Sequence, residues 1–316
     1  MTTRTRKKRP TVARPVQAPA VRKDAAPLLR RRSFTWAALA FLVIAIAVIA
    51  AVLRGNNDPV ATPATGLPAT TDYHSLAVNP TNSQQILLGT HSGLFSSDDG
   101  GARWHLQALA GQDAMSLARP GGARLWMAGH DVMAKSADGG RSWQSVRPAG
   151  LPDYDVHGFA ADPKGGTLYA AIAGRGLYRS TNGGASFTVV STEVGGSVMA
   201  LAVRPDGSIL AGDMQQGLLE SRDGGKTWRV VVRAQLMGLA VNPANPRRIL
   251  ATGPGVLLST NGGKSWTQPL KLEQGAGPVA WSASNPDVAY VVGFDRSLYK
   301  TTDGGSTWRA AAAGGE

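Results

Sequence analysis

The stretch SRDGGKTW, from Ser221 to Trp228, places a carboxylate, a hydroxyl, a cation and an indole within eight residues. Such a set could serve proton transfer, with Asp223 as the acid or base. The stretch recurs, however, six times along the chain, and its third position holds an acid in four copies and an amide in two. The third and eighth positions of the copies are Asp99, Asp138, Asn182, Asp223, Asn261, Asp303 and Trp104, Trp143, Phe187, Trp228, Trp266, Trp308. Because an amide cannot replace an acid in proton transfer, we predict that these residues shape a turn.

The repeat also predicts the elements that carry the turn. Successive final aromatics are separated by 38 to 44 residues, which is a period typical of propeller blades. Three short stretches with strand patterns precede each copy, and a fourth follows its two glycines. Sheets of this size cannot bury both faces alone, so we expect them to stack around an axis. The prediction is an all-β fold, a six-bladed β-propeller with four-stranded antiparallel blades over residues 72–316.

The six copies match the Asp-box, or BNR, repeat, and the chain resembles that propeller superfamily. The superfamily includes sialidases, sortilin-type receptor propellers, xyloglucanase-like glycoside hydrolases and Ycf48-type photosystem II assembly factors. The chain is also similar to bacterial membrane-anchored proteins labelled glycosyl hydrolases. The resemblance implies the fold, whereas function varies among the members. The FRIP or YRIP string that carries the sialidase arginine does not occur in this sequence, so the resemblance is to a sialidase-like fold and not to a true sialidase.

Propeller geometry predicts which residues meet at the end of the blades opposite the boxes. The position that opens the first strand of each blade holds His74, Met115, His157, Met199, Met237 and Gly277. The ends of second strands and the entry loops add His91, His130, Arg175, Asp213, Asp295, Tyr73, Tyr154 and Asp155. We therefore expect a polar channel face. Its candidate ligand-binding residues are His74, His91, His130, His157, Arg175, Tyr73 and Tyr154.

Three interpretations of the channel face stay open. Methionine and histidine can fill an irregular channel as packing residues. The candidate metal ligands are His74, His157, Met115, Met199 and Met237; imidazole with thioether suits copper, and imidazole with carboxylate suits zinc. The candidate catalytic carboxylates are Asp155, Asp213 and Asp295, because glycoside hydrolysis needs two acids about 5 to 10 Å apart.

The net charge of +12 is concentrated at the N-terminus, where the first 32 residues hold 11 Lys and Arg against one acid. An uncharged apolar run over residues 34–53 follows, and it is long enough for a membrane-spanning helix of about 30 Å. The positive-inside rule then predicts a basic cytoplasmic arm (1–33), a signal-anchor helix (34–53), a Pro/Thr/Ala-rich linker (54–71) and an extracytoplasmic propeller, either periplasmic or on the cell surface. A cleaved signal peptide and twin-arginine export through RRSF are the alternatives.

The composition excludes several classes of protein. No cysteine is present, which excludes disulfides, thiolate metal sites and a cysteine nucleophile. After Arg32 the chain holds 22 basic and 20 acidic residues, so nucleic acid is not an expected partner. The expected partners are the membrane, through a single anchor, and an extracytoplasmic protein or glycan. The predicted function is binding of that protein or glycan through the channel face. The alternatives are a glycoside hydrolase and a Ycf48-like assembly or metal-handling factor with a His/Met site.

Overall fold

The computed structural model describes residues 66–70, 72–194 and 196–311. The predicted cytoplasmic arm, the signal-anchor helix at 34–53 and most of the linker lie outside these residues. Within the described ranges, no helix has the length and apolar character needed to cross a membrane.

Twenty-four strands form six four-stranded sheets in the described residues. The strands of blades 1 to 3 are β1 (Tyr73–Asn79), β2 (Asn82–Thr90), β3 (Gly93–Ser97), β4 (His105–Ala108), β5 (Ser116–Gly121), β6 (Arg124–Gly129), β7 (Val132–Ser136), β8 (Gln144–Ser145), β9 (Val156–Ala161), β10 (Leu168–Ile172), β11 (Gly176–Ser180) and β12 (Thr188–Ser191). The strands of blades 4 to 6 are β13 (Val198–Val203), β14 (Ile209–Asp213), β15 (Gly217–Ser221), β16 (Arg229–Val232), β17 (Gly238–Val241), β18 (Ile249–Thr252), β19 (Gly255–Ser259), β20 (Thr267–Lys271), β21 (Ala276–Trp281), β22 (Ala289–Gly293), β23 (Leu298–Thr301) and β24 (Arg309–Ala310).

The predicted six-bladed, all-β propeller is confirmed. Every pair of neighbouring strands within a blade is antiparallel, and the strands of each sheet are consecutive in sequence. The first strands of neighbouring blades, such as β9 and β13, pack against one another and form the innermost layer. The second strand of each blade lies between the first and third strands, and every residue of β10, β14, β18 and β22 is buried.

Each repeated stretch is a turn between the third and fourth strands of its blade. In blade 4 the Ser221 hydroxyl accepts a hydrogen bond from the Gly225 N–H at 2.8 Å and donates to Asp223 Oδ1 at 2.9 Å. Asp223 Oδ1 in turn accepts the Thr227 N–H at 3.0 Å. The Trp228 indole N–H donates to the Gly225 carbonyl at 3.0 Å. The third position is therefore a hydrogen-bond acceptor, and Asn182 makes the same backbone contact in blade 3.

The second glycine of the turn lies where a side chain of the preceding blade packs. A Cβ atom on Gly225 would lie 2.5 Å from Leu177 of blade 3, and one on Gly184 would lie 2.5 Å from the Trp126 ring of blade 2. Both glycines also have positive φ, at 96° and 87°, which L-residues with a side chain rarely adopt. The repeated turn therefore closes a hairpin and packs against the neighbouring blade.

Blade 6 meets blade 1 without sharing a strand with it in the described sheets. The seam is an apolar cluster in which Leu76, Ile86 and Leu88 of blade 1 pack with Tyr290 and Val292 of blade 6. The Tyr290 hydroxyl also donates to the Ser83 carbonyl at 3.1 Å. Side-chain packing therefore closes the ring.

Glu220 is a buried carboxylate at the end of blade 4 that carries the box. It accepts hydrogen bonds from the guanidinium groups of Arg204 at 2.7 Å, Arg222 at 3.2 Å and Arg229. Burial alone raises the pKa of Glu220, but the hydrogen bonds from the three arginines outweigh it and lower the pKa below 4.5. Arg204 also donates to the Gly262 carbonyl of blade 5 at 3.1 Å, so this ion pair links two blades.

We expect Ser221→Ala to lower the free energy of unfolding by about 1–3 kcal/mol, because the buried Gly225 N–H loses its acceptor. Asp223→Asn should change stability less, since Asn182 and Asn261 fill the same position with the same contact. Chemical unfolding of both variants checks this ordering. Equal losses for the two substitutions would show that the charge of Asp223 matters to the turn.

Glu220→Gln should lower the free energy of unfolding by about 3–5 kcal/mol near neutral pH, because Arg204 stays buried without its charge partner. The pKa of Glu220 is lower in the folded than in the unfolded chain, so its stabilisation is complete above the usual pKa of 4.5. It is lost as the pH falls through the folded-state pKa. Urea unfolding at several pH values should show the difference from the unsubstituted protein shrinking in acid. Glu273→Gln, at an exposed position, is the matched control and should have no comparable effect.

Candidate functional site

Four imidazoles meet on the channel face of blades 1 to 3. His74 and His157 are the second residues of β1 and β9, and His91 and His130 directly follow β2 and β6. The start of a first strand and the end of a second strand lie at the same end of an antiparallel blade. These four histidines, together with Asp113 and Asp155, are called the histidine cluster below.

Asp113 joins three of the four imidazoles. Its Oδ2 atom lies 2.8 Å from His91 Nδ1 and 2.6 Å from His130 Nδ1, and its Oδ1 atom lies 3.7 Å from His74 Nε2. The residue is only 9% exposed. Asp72 contacts the outer side of His91, at 3.4 Å from Nε2. A single buried carboxylate therefore orients the imidazoles of blades 1 and 2.

A second group of atoms converges between blades 2 and 3. His130 Nε2 lies 3.1 Å from His157 Nε2 and 3.2 Å from Asp155 Oδ1. Asp155 Oδ1 lies 3.1 Å from His157 Nε2. His130 therefore contacts Asp113 through one ring nitrogen and this second group through the other. Within the described residues, His130, Asp155 and His157 form one of two groups whose geometry could hold a metal ion, and His74, His91 and Asp113 form the other.

His74 lies at the buried end of the histidine cluster. Burial lowers the pKa of His74 to about 4, with Asp113 and Asp72 acting in the opposite direction and His91 and His130 in the same one. The His74 imidazole is therefore neutral at neutral pH. Its ring stands edge-on to that of His91, with 4.3 Å between ring centroids.

The candidate methionines lie in the channel rather than among the carboxylates. Met115, Met199 and Met237 line a narrow cavity of about 60 Å³ together with His74 and Phe159. The five residues considered as metal ligands from the sequence thus divide, with His74 and the methionines around the channel and His157 beside His130 and Asp155.

Tyr73, Tyr154 and Arg175 support the backbone around the histidine cluster. The hydroxyls of Tyr73 and Tyr154 donate to the carbonyls of Pro68 and Pro148, at 2.8 and 3.0 Å. Arg175 donates to Asp153 at 3.2 Å. These side chains hold the loops that precede β1 and β9.

Two of the three candidate catalytic carboxylates are engaged in local turns. Asp213 is 1% exposed, and its oxygens accept hydrogen bonds from the Ser197 hydroxyl and from the backbone N–H groups of Gln215 and Gln216. Asp295 accepts the Ser297 N–H at 3.0 Å and the Tyr299 hydroxyl. Asp155 differs from both because its Oδ1 atom faces the imidazoles of His130 and His157.

Asp113 is the site residue that the sequence analysis missed, although the repeat contains a signal for it. It stands two residues before Met115, as Asp72 stands two before His74 and Asp155 two before His157. The same position of three consecutive blades therefore carries an aspartate. Aligning the loops together with the strands would have identified Asp113.

A groove adjoins the histidine cluster between blades 1 and 2. It is a cavity of about 450 Å³ whose lining includes His91, Gln112, His130, Met133 and Arg147. Arg147 lies over the Tyr154 ring, 4.4 Å from its centroid, and pairs with Asp131 at 2.7 Å. A larger cavity of about 590 Å³ lies between the box turns of the same blades, at their opposite end, and contains no residue of the histidine cluster. We take the smaller groove as the candidate binding site because the imidazoles and the buried carboxylate converge there.

Comparison with solved structures shows the same fold in several proteins. The GH74 xyloglucanase from Xanthomonas campestris superposes with a TM-score of 0.57 at 18% identity, covering 81% of this chain and 46% of the enzyme. The chain thus spans about half the length of that enzyme. YCF48 bound to D1 peptide superposes with a TM-score of 0.51 at 20% identity, covering 78% of this chain and 83% of the other. YCF48 from Cyanidioschyzon merolae gives 0.51 at 17% identity, covering 78% and 87%.

Comparison with curated protein sequences gives no match. The model of the family described as photosynthesis system II assembly factor YCF48 matches residues 64–214 and 209–315. These two matches span all six blades. The chain therefore belongs to the photosynthesis system II assembly factor YCF48 family.

Proposed function

We propose that this protein is a membrane-tethered, extracytoplasmic propeller that binds a segment of a client protein in the groove between blades 1 and 2. The observation that carries the proposal is the groove itself, which places imidazole, amide and guanidinium groups beside a buried carboxylate. Membership of the YCF48 family supports a protein as the ligand, since YCF48 has been solved with D1 peptide bound.

The groove offers both polar and apolar contacts to a peptide. Gln112 is exposed at its rim, and Arg147 is held in place by Asp131 and Tyr154. The half-buried Val132 supplies apolar surface in the same lining, which also includes the buried Met133. A few fixed polar groups around an apolar floor are typical of specific binding sites. Because Arg147 is held before a ligand arrives, little side-chain entropy is lost when it binds.

The hydrogen bonding of the candidate catalytic carboxylates favours a binding function over glycoside hydrolysis. Hydrolysis needs two carboxylates that face one substrate bond. The oxygens of Asp213 and Asp295 are occupied by local hydrogen bonds, which leaves Asp155 as the one of these three directed at the histidine cluster. The GH74 likeness, at 18% identity, concerns the fold alone.

The tether is proposed from the sequence. Residues 34–53 are uncharged and follow an arm with 11 Lys and Arg, so the positive-inside rule supports a cytoplasmic N-terminus. A client segment on the extracytoplasmic side of the same membrane would then be presented to the propeller at high local concentration.

Substitution of the polar residues at the groove rim should weaken binding of the client protein. We expect Gln112→Ala with Arg147→Ala to weaken binding at least tenfold, because both polar anchors are lost. Proteins captured from detergent-solubilised membranes would be identified, and overlapping synthetic peptides from them titrated against the purified protein. The matched control is Arg141→Ala with Gln144→Ala, which removes the same two residue types at exposed positions near the box of blade 2. Equal binding by both double variants, or retention of glycans without any protein, would contradict the proposal.

The tether predicts the sidedness of the propeller. Protease added to intact right-side-out membrane vesicles should cleave the propeller, and the fragment left in the membrane should contain the N-terminal arm. An intact-mass measurement distinguishes an uncleaved anchor from a cleaved signal peptide, because only the uncleaved anchor retains residues 1–33. Protection of the propeller in these vesicles, with cleavage only after lysis, would place it in the cytoplasm and refute the tether as drawn.

A further inference from the structure

Three atoms between blades 2 and 3 are arranged like the ligands on one face of a metal site. The separations among His130 Nε2, His157 Nε2 and Asp155 Oδ1 are 3.1, 3.1 and 3.2 Å. Tetrahedral zinc with bonds of about 2.0–2.1 Å places its ligand atoms roughly 3.3 Å apart. The three atoms therefore need to move by only a few tenths of an ångström to share one ion.

The contact between Asp113 and His130 is the kind of support that metal-binding histidines receive. Asp113 Oδ2 lies 2.6 Å from His130 Nδ1, so a proton on Nδ1 is held by the carboxylate. The Nε2 lone pair then points to the opposite side of the ring, where Asp155 and His157 lie. A carboxylate behind a histidine ligand fixes its tautomer and raises its basicity.

Backbone contacts hold His130 of blade 2 next to Asp155, which precedes blade 3, before any ion binds. His130 and Asp155 face each other in an isolated antiparallel bridge, and the Asp131 N–H donates to the Tyr154 carbonyl at 3.1 Å. Asp131, directly after His130, has a φ of 55°, a left-handed conformation that aspartate tolerates better than most residues. The carbonyl of Asp155 also accepts the Ala173 N–H at 2.9 Å.

Asp155 Oδ1 is buried and has no hydrogen bond of good geometry in the described residues. A carboxylate oxygen without a hydrogen bond is costly to bury, and a cation shared with the two imidazoles would satisfy it. The rest of the site is open, because the side chains of His130 and Asp155 are 47% and 46% exposed. An ion here would keep a position free for water or another ligand.

We propose that His130, Asp155 and His157 bind one divalent transition-metal ion of the zinc class, with Asp113 as a positioning residue behind His130. Two imidazoles and a carboxylate are a donor set that zinc favours, and three protein ligands with an open fourth position are typical of reactive or exchangeable zinc. The group formed by His74, His91 and Asp113 is less suited. Asp113 Oδ2 already contacts two imidazole nitrogens, and the His74 contact is longer, at 3.7 Å.

Titration of Zn²⁺ into the 316-residue chain tests the site. The chain would be purified without a histidine tag, stripped with a chelator and titrated by calorimetry. We expect one ion per chain, and loss of that stoichiometric binding in each of His130→Ala, Asp155→Asn and His157→Ala. Co²⁺ added in place of Zn²⁺ should give the visible absorption of a four-coordinate site. His105→Ala is the matched control, because His105 is exposed on β4 at the box end and contacts Ser96.

The Asp113→Asn variant tests the positioning role. It should keep the one-to-one stoichiometry but weaken binding by about 10–100-fold, as expected when the partner behind a histidine ligand is lost. Circular dichroism and thermal unfolding of the stripped variants would show that each remains folded.

Three outcomes would overturn the proposal: no saturable binding, binding that survives all three ligand substitutions, or loss that follows His74→Ala and His91→Ala instead. Because Gln112 and Arg147 are not ligands, a failure of this site leaves the client-binding test unaffected.

Discussion

The structure depends on one hydrogen bond that is repeated around the ring. In each box turn it joins the second glycine to the hydroxyl that begins the turn. The hydroxyl that begins the turn accepts the N–H of this glycine at 2.8–3.0 Å in all six boxes. That hydrogen bond holds the glycine at positive φ, and in several blades the bare Cα then faces a large side chain of the preceding blade. Local hydrogen bonding and the spacing between blades are therefore set by the same few atoms. The histidine cluster at the other end of the blades requires that spacing, because its residues come from three neighbouring sheets.

The repeat made the fold predictable from the sequence, and the site only in part. Six in-phase boxes determine blade number, strand order and the end of the blade to which His74 and His157 belong, because a period of 38 to 44 residues leaves little freedom. The strand patterns in the sequence do not predict which side chains the loop residues will contact. Asp113 was missed for that reason, since its importance comes from contacts to His91 and His130, 22 and 17 positions away. The register grouped the methionines with His74 and His157 around the channel, whereas the structure keeps His74 with them and places His157 beside Asp155.

Asp113 also explains why four imidazoles can lie so close together. The Asp113 carboxylate lies between His91 and His130 and contacts the Nδ1 atom of each ring. Neither ring therefore has to donate a hydrogen bond to the other. His74 avoids repulsion in a different way, because burial keeps it uncharged. The cluster thus has a neutral end in the channel and a more open end at His130 and Asp155. Chemistry that needs exchange with solvent belongs at the open end.

The seam between blades 6 and 1 has a consequence for how such a ring can change over time. Since each described sheet is one uninterrupted stretch of chain, no blade borrows a strand from another. Duplication or loss of a segment of about 40 residues would therefore add or remove a whole blade with its box, and the two new neighbours would meet through the same kind of packed surface. The seam, closed by Tyr290 and its apolar neighbours instead of by a shared strand, is the one joint that the chain does not bridge covalently. A propeller built in this way can alter its circumference, and with it the width of its channel, without rebuilding any blade.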